Sequence, residues 1–396
     1  MNEWRKEKLK NIVYINQNNF SKEDKWEYIS YLDTANITDV VIENIQKLNL
    51  KKDSIPSRAR RKVLKEDVIV SSVRPNLKHF GIIKKPKKNM IVSTGFIVLT
   101  AIKNIIDPYY LYNFFRKENI IEYLSSIAET STTTYPSITS KVIEELEIKL
   151  PPLNIQKKIS KILSDIDNKI ELNNKINNNL EKQLQLLYKH WFIDLEPFNS
   201  NEIANWKYGK LKDILNLEKR IFKKENNIEF PYLPIDVIPM HSFAIKEVKP
   251  FSEAQSSLIK FLKDDILIGA MRVYFHRVVI APFDGITRNT CFTLSVKEKE
   301  YLSFALICCN LKNTIKFAEK TSKGTTMPYA TWENGLSEMD LLIPPIEIAK
   351  KFNISALPLI RKIQNSYFEN KRLNNLKNYL LPKLMNGEID VENIEL

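Results

Sequence analysis

Glycine is scarce. Only eight are spread through 396 residues, and the closest two, Gly324 and Gly335, lie eleven residues apart. A loop that cradles phosphate needs clustered glycines so that backbone amides can approach the anion; Walker and dinucleotide-binding fingerprints are therefore excluded, as is the glycine motif that usually holds S-adenosylmethionine. Cysteine and histidine are rarer still. Cys291, Cys308 and Cys309 offer no CxxC pair and the four histidines stand far apart, so neither a disulfide framework nor structural zinc is expected. GxSxG is absent too. No apolar run reaches the roughly 18 residues that cross a bilayer, and the opening MNEWRKEKLK lacks the apolar stretch of a signal peptide. A cytoplasmic protein is expected, with no membrane contact, no cofactor, no metal and no stand-alone catalysis.

One segment comes near a catalytic motif. Asp107-Pro108-Tyr109-Tyr110 is similar to the Asp-Pro-Pro-Tyr loop with which amino-methyltransferases hold a flipped base, but the second proline is missing. Proline at the first position of a helix, with Asp107 as its cap, is the better account.

What is present is repetition. Trp4, Leu9 and Ile12 return at Trp206, Leu211 and Ile214, offset by 202; KEDVIVSSVR, ending at Arg74, returns at an offset of 198 as KDDILIGAMR, ending at Arg272. Pro151-Pro152 returns as Pro344-Pro345, offset by 193. The steadily shrinking offset describes two full-length copies separated by short deletions. A period this long makes each copy a domain rather than a solenoid unit. Asp67 and Asp265 recur within KxDxI and read as turn residues before a strand.

The net charge of +13 points to a polyanionic partner, and its distribution is informative. Residues 51–88 hold thirteen Lys or Arg against three acids, whereas residues 151–204 hold seven of each sign. Short β-branched runs at 68–73, 91–100, 266–273 and 291–296 predict strands, and 108–127 and 300–319 predict helices. Each copy is thus a mixed α+β domain.

After each Pro-Pro the period changes to three and four. Ile155, Ile159, Ile162, Ile166, Ile170, Ile176, Leu180, Leu184, Leu187 and Trp191 mark one long amphipathic helix, roughly 55 Å of rod. Ile348, Phe352, Leu359, Ile363, Tyr367, Leu373, Leu376, Leu380 and Leu384 mark a second, with Pro358 predicting a kink or late start and Asn386-Gly387 a stop. The cluster Asn173, Asn174, Asn177, Asn178, Asn179 predicts a weak middle in the first. A single apolar stripe needs a partner, and the simplest is the other rod. The expected architecture is two duplicated mixed domains, residues 1–150 and 201–343, joined by helices at 151–200 and 344–396 that run antiparallel as a coiled-coil spacer with pseudo-twofold symmetry.

The duplicated halves, the Pro-Pro before each helix, LLYKHWFIDLEPF from Leu186 to Phe198 and LLPKLMNGEIDV from Leu380 to Val391 together resemble the specificity subunit of Type I restriction-modification systems. The resemblance covers essentially the whole chain. One departure is local: where the family often has Glu-Gln after Pro-Pro, this chain has Ile155-Gln156 and Ile348-Ala349. The resemblance implies two target recognition domains, each reading half of a split, asymmetric site in double-stranded DNA, with half-sites about one helical turn apart. It also implies that the helices set that spacing and dock two methyltransferase subunits, while methylation and ATP-driven cleavage belong to the methyltransferase and restriction subunits.

On that reading, base or phosphate contacts in the first domain fall to Arg58, Arg60, Arg61, Arg74, Lys78, Lys84, Lys85 and Thr132, Thr133 and Thr134; in the second, to Arg272, His276, Arg277, Arg288, Lys323, Thr325 and Thr326. Each of these also has an ordinary reading as a solvated surface residue, and Tyr135 and Tyr329 fit DNA contact or core packing equally. Partner docking falls to Ile166, Ile170, Leu180, Leu187, Trp191, Leu359, Ile363, Leu373 and Leu380. Two further functions stay open: a protein-binding scaffold without DNA specificity, and a self-contained DNA methyltransferase.

Overall fold

In the repeated decapeptide, Val68–Ser71 and Ile266–Gly269 are strands buried along their whole length. A β-branched run with no polar alternation suits a strand covered on both faces, because successive side chains point to opposite sides. In a computed structural model describing residues 4–38, 41–42, 44–130, 137–223, 229–255 and 257–394, that is what happens. Val68 and Val70 join Tyr110, Leu111 and Phe115 in one core, while Ile69 joins Phe96 and Val92 in another. In the second copy Ile266 and Ile268 turn toward Phe304 and Leu306, and Leu267 toward Phe261.

The chain divides into two compact units, residues 1–168 with 374–396, and residues 169–373. Each is α+β, and each carries the same four-stranded antiparallel sheet. In unit 1 the order is Val13–Ile15, Phe96–Ala101, Val68–Ser71, Phe80–Ile82; in unit 2 it is Leu215–Leu217, Cys291–Val296, Ile266–Gly269, Val278–Ile280. The repeated aspartates are turn residues, as read. Asp67 accepts from the Leu64 amide (2.7 Å) and the Thr100 hydroxyl (2.7 Å), and Asp265 from the Leu262 amide (2.8 Å) and Arg220 (2.5 Å).

A second sheet packs on the other face of the first. Its matching strands are Ala59–Lys62 and Met90–Ser93 in unit 1, and Leu258–Phe261 and Gly285–Arg288 in unit 2. Unit 1 widens it with Tyr28–Leu32 and Gln46–Asn49. Unit 2 adds Ile221–Phe222 at the opposite edge and, among the described residues on this side, has isolated bridges from Tyr232 to Lys249 and to Ile286. The copies therefore share one sheet and differ in the other.

Both predicted domain helices are broken. The first is Pro108–Phe115 followed by Glu118–Thr130, the second Leu302–Cys309 followed by Lys312–Lys320. Side chains anchor both breaks. At the first, Arg116 reaches Asp167 (2.5 Å); at the second, Asn310 holds His276 (2.8 Å) and the Val278 carbonyl (3.2 Å). Asp107 caps its helix by accepting from the Tyr109 and Tyr110 amides, with Pro108 at the first position, so this segment is a capped helix start.

The long helices are Leu153–Tyr188 and Ile346–Asn386. Pro358 does not delay the second: the helix starts well before it, and the proline lies on the exposed side, where the carbonyl it leaves unpaired can meet water. Gly387, at φ 78°, ends it as expected. The asparagine cluster is divided: Asn173 is buried and donates to Asn370 (2.8 Å) and Glu369 (2.9 Å), and Asn370 donates to Asn174 (2.9 Å), whereas Asn177 is buried with neither Nδ2 nor Oδ1 hydrogen-bonded among the described residues.

Within each unit the helix segments run antiparallel. In unit 2, Asn173 meets Asn370 while the Tyr188 ring meets that of Phe352 at 6.3 Å. In unit 1, Asp167 meets Lys377 (2.9 Å) while Lys158 reaches the Glu392 carbonyl (2.6 Å). The missing Glu-Gln pair is also accounted for. Gln156 bonds the Asp107 amide and the Ile105 and Pro151 carbonyls, whereas at the matching place Ala349 is simply buried.

Asp167 lies between Arg116 and Lys377, which outweigh its burial and hold its carboxyl below the usual range. Removing one partner of a buried ion pair strands the other charge. Asp167→Ala is expected to destabilise unit 1 by about 3–5 kcal/mol, while Asp165→Ala, which breaks only an exposed pair with Lys161, changes stability by no more than about 0.5 kcal/mol. Denaturant unfolding of the two variants checks the contrast.

Candidate nucleic-acid interface

The decapeptide leaves its strand the same way in both copies. In unit 1 the Ser72 amide donates to Gly95 (2.7 Å) and the Ser72 carbonyl accepts from Ile138 (2.7 Å); in unit 2 the Ala270 amide donates to Thr290 (2.9 Å) and its carbonyl accepts from Ala330 (2.9 Å). Arg74 and Arg272 follow, at φ 47° and 49°, each opening a single 3-10 turn. Lys78 and His276 close those turns at φ 54° and 52°. Left-handed backbone strains any residue with a Cβ, by roughly 1–2 kcal/mol. Two such residues, in register, in both copies mark a turn whose shape is imposed by the fold.

This turn gathers most of the second unit's candidates. Met271 pairs with Tyr329, Tyr329 pairs with Lys323, and the Arg272 amide donates to Pro328 (2.8 Å), so the exposed Lys323, Thr325 and Thr326 form the loop beside Arg272. The Tyr329 hydroxyl donates to the Asn289 carbonyl (2.8 Å), next to Arg288. Tyr329 thus braces the loop.

Unit 1 places Arg74 exposed on the matching turn, with Lys78 paired to Glu118 (3.2 Å). Arg58 and Arg60 are exposed at the Ala59–Lys62 strand, Arg60 Nε donating to the Ser57 carbonyl (3.3 Å). Lys85 is exposed, and Lys84 donates to Asn168 (3.1 Å). Thr132, Thr133, Thr134 and Tyr135 lie outside the described residues.

Three basic candidates are corrected by their surroundings. His276 is buried, 6% exposed, with Nε2 against Asn310, because its ring plugs the break between the two domain helices. Arg277 donates to the Asp236 (3.0 Å) and Ile238 carbonyls, and Arg61 to the Phe96 carbonyl, so both guanidiniums serve backbone groups that would otherwise be unpaired. Within the partner-docking set, burial removes Ile166 and Ile363 and leaves the other seven partly exposed. Ile166 and Ile363 are buried, Leu180, Leu187, Trp191 and Leu359 pack against the unit 2 core, Leu380 packs against the unit 1 core, and Ile170 and Leu373 are half-buried. The stripe that predicted the helices is consumed by their own packing. Apolar side chains that the long helices leave exposed include Leu172, Leu186, Ile354, Leu376 and Tyr379.

A polar cluster at the second sheet was missed. In unit 1 the Tyr31 hydroxyl donates to Asp33 (2.5 Å), and burial together with that carboxylate pushes it up to about 12. Tyr232 is its counterpart: Tyr31 pairs in parallel with Ile91 as Tyr232 does with Ile286. Around Tyr232 the second unit opens a cavity of about 380 Å³. The identical Tyr–Tyr match at an offset of 201 was the only signal in the sequence, and without the strand pairing it is indistinguishable from chance.

Among the described residues no cluster of potential metal ligands is present and no helix is long and apolar enough to cross a membrane. Residues 1–182 and 203–378 match the model of the Type I restriction modification DNA specificity domain, one match on each copy. The chain belongs to that family. It is 27% identical to the MjaIX specificity subunit of a Type I restriction enzyme from Methanocaldococcus jannaschii, over 93% of this chain and 87% of that one. It is 23% identical to the HindI specificity subunit from Haemophilus influenzae, over 91% and 94%. Among solved structures, the Type I restriction-modification S subunit from M. genitalium matches its fold with a TM-score of 0.65 at 16% identity, covering 96% of each chain. In this specificity-domain family member, the repeated arginine turns are the natural starting point for function.

Burial holds the His276 ring below its ordinary value, and the neighbouring His241 and Lys312 add to this against the Asn310 hydrogen bond. A depressed histidine binds fewer protons folded than unfolded below about pH 6.5, so the fold loses stability as pH falls through that window. The melting temperature of unit 2 is expected to drop as pH falls from about 7 to about 5, and His276→Gln is expected to flatten that slope. Thermal melts across the range give the comparison.

Proposed function

We propose that this chain is the DNA-reading, non-catalytic subunit of a Type I restriction-modification complex, each unit reading one half of a split, asymmetric site. The observation that carries the proposal is the family match on both copies, each with its own arginine turn. Phosphate contacts fix the register of a protein on the duplex, and a few side chains at base edges supply the sequence. Arg74 with Arg58, Arg60 and Lys85 in unit 1, and Arg272 with Lys323, Thr325, Thr326 and Arg288 in unit 2, are assigned to these contacts. The shared sheet holds the turn and the diverged second sheet flanks it, which accords with different half-sites. Leu172, Leu186, Ile354, Leu376 and Tyr379 are assigned to docking of methyltransferase subunits, which with the restriction subunits supply the chemistry. The neutral charge of residues 151–204 suits protein contact better than phosphate. A cytoplasmic location follows from that role.

Methylation mapping in the host genome, with and without this chain, is expected to reveal one bipartite motif with unlike halves that disappears with the chain. Methylation unchanged by the deletion, or dispersed without a motif, overturns the proposal. A scaffold without DNA specificity predicts salt-insensitive behaviour, whereas DNA affinity here should fall steeply as salt rises.

The arginine turns give a sharper test. Glycine relieves left-handed strain but removes the guanidinium, so Arg272→Gly is expected to leave unit 2 within about 1 kcal/mol of its original stability. DNA binding by the assembled complex is expected to weaken about tenfold or more, consistent with the loss of a contact of roughly 1–3 kcal/mol. Calorimetry and filter binding on the same preparation separate the two effects; equal binding before and after removes Arg272 from the interface.

A further inference from the structure

Each arginine turn carries a second residue in register that a phosphate contact does not need. Leu77 and Phe275, 198 positions apart like the arginines before them, end the two 3-10 turns and are 44% and 37% exposed. The Leu77 amide donates to the Arg74 carbonyl (3.0 Å) and the Phe275 amide to the Arg272 carbonyl (2.9 Å), so the same closure sets each apolar residue beside an arginine. Among the described residues neither joins a hydrophobic core of its unit. A single exposed apolar side chain is ordinary. Here two stand at the same place on a strained turn, with no core to fill, while the residue before them differs in kind, Asn76 against Tyr274.

In unit 2 the surroundings extend the apolar surface. Along residues 194–345 the exposed large apolar side chains among the described residues are Tyr208, Ile221, Met240, Tyr274, Phe275 and Met327, and the last four gather at this turn. Tyr274 packs on Phe275 at 4.9 Å between ring centres. Met240 precedes His241, whose amide donates to the His276 carbonyl (2.9 Å), and Met327 precedes Pro328, whose carbonyl accepts from the Arg272 amide (2.8 Å). Apolar surface therefore lies inside the basic turn and loop assigned to DNA.

A duplex offers little apolar surface from outside. At the base edges of the major groove that surface is the thymine 5-methyl group, and the guanine acceptors that suit an arginine line the same groove. Insertion between base pairs is the other apolar contact, and it needs a side chain free on both faces. The Phe275 ring is not free in that way: Tyr274 lies against it and the Arg277 guanidinium sits 5.7 Å from its centre. A side-on contact uses the part of the ring that remains.

We propose that Leu77 and Phe275 are specificity residues, each pressed against the 5-methyl group of one thymine in the half-site of its own unit, while the arginine beside it holds a neighbouring base pair or phosphate. This rests on the DNA-reading role above.

The test uses the chain assembled with its methyltransferase partners and duplexes carrying the mapped motif. Deoxyuridine replaces each thymine of the two half-sites in turn, which removes the methyl alone. The expected result is one position in each half-site where uracil weakens binding about fourfold, the scale of one buried methyl group. Phe275→Ala is expected to abolish that sensitivity in the unit 2 half-site and keep it in the unit 1 half-site; Leu77→Ala is expected to do the reverse, so each variant controls for the folding and assembly of the other. A half-site without thymine, or one indifferent to every uracil, overturns the assignment for its unit. Alanine variants that bind thymine and uracil duplexes more weakly by one common factor, and bend the DNA less, overturn it in favour of insertion between base pairs. Variants that instead lose their methyltransferase subunits on a sizing column overturn it in favour of a protein contact. Binding without sequence preference by the unaltered complex overturns the DNA-reading role and this inference with it.

Discussion

An amphipathic helix of this length cannot stand in water with its apolar stripe bare, and the rest of the molecule follows from how that stripe is covered. In unit 2 the cover is aromatic: Phe192 lies 4.7 Å from Phe352 and 4.8 Å from Phe304, ring centre to ring centre. In unit 1 it is aliphatic, with Ile155, Ile159 and Leu163 sharing a core with Leu381, Leu384 and Met385. Fully burying such a side chain contributes about 1.5–3 kcal/mol, so removing either helix segment would leave a domain short of much of its core. The helices are structural members of the units as well as links along the chain. Between these apolar stretches, the layer formed by Asn173, Asn174 and Asn370 is satisfied only in one alignment of the pair. Polar groups buried in a helix pair fix register at some expense of stability.

Against this shared frame, the two copies divide conservation and change between two sheets. The sheet containing the decapeptide keeps its strand order, its turn aspartate and its strained arginine turn. The second sheet has four strands in unit 1 and three in unit 2, where isolated bridges beside a cavity replace the two strands that widen it in unit 1. A reader of two unlike half-sites needs a constant mount and a variable surface, and this division supplies both.

The duplication, the α+β class and both long helices were legible because they rest on periodicity, which survives divergence. What failed was aim. Ile363 and Ile166 look like docking residues in a one-dimensional stripe, yet the stripe faces inward, and only the folded chain shows that Leu186 and Ile354 remain outside. His276 and Arg277 have the residue types of DNA contacts, but their partners are Asn310 and the Asp236 carbonyl, far away in sequence. The late start at Pro358 failed for a related reason, and the weakness forecast for the asparagine run does not hold at Asn173: tertiary surroundings, solvent for the proline and Asn370 for Asn173, decide what a helix tolerates.

Unit 1 draws on both ends of the chain. Leu381, Leu384, Met385 and Val391 complete its core, yet the whole of residues 169–373 lies between them and the rest of that unit. Residues 169–373 precede residues 374–396 in the chain, so unit 2 has its full set of core residues while unit 1 still lacks part of its wall. Until residues 374–396 follow, the apolar face of residues 153–168 lacks the side chains that cover it. The second unit can therefore complete its core before the first, against the order in which they are encoded.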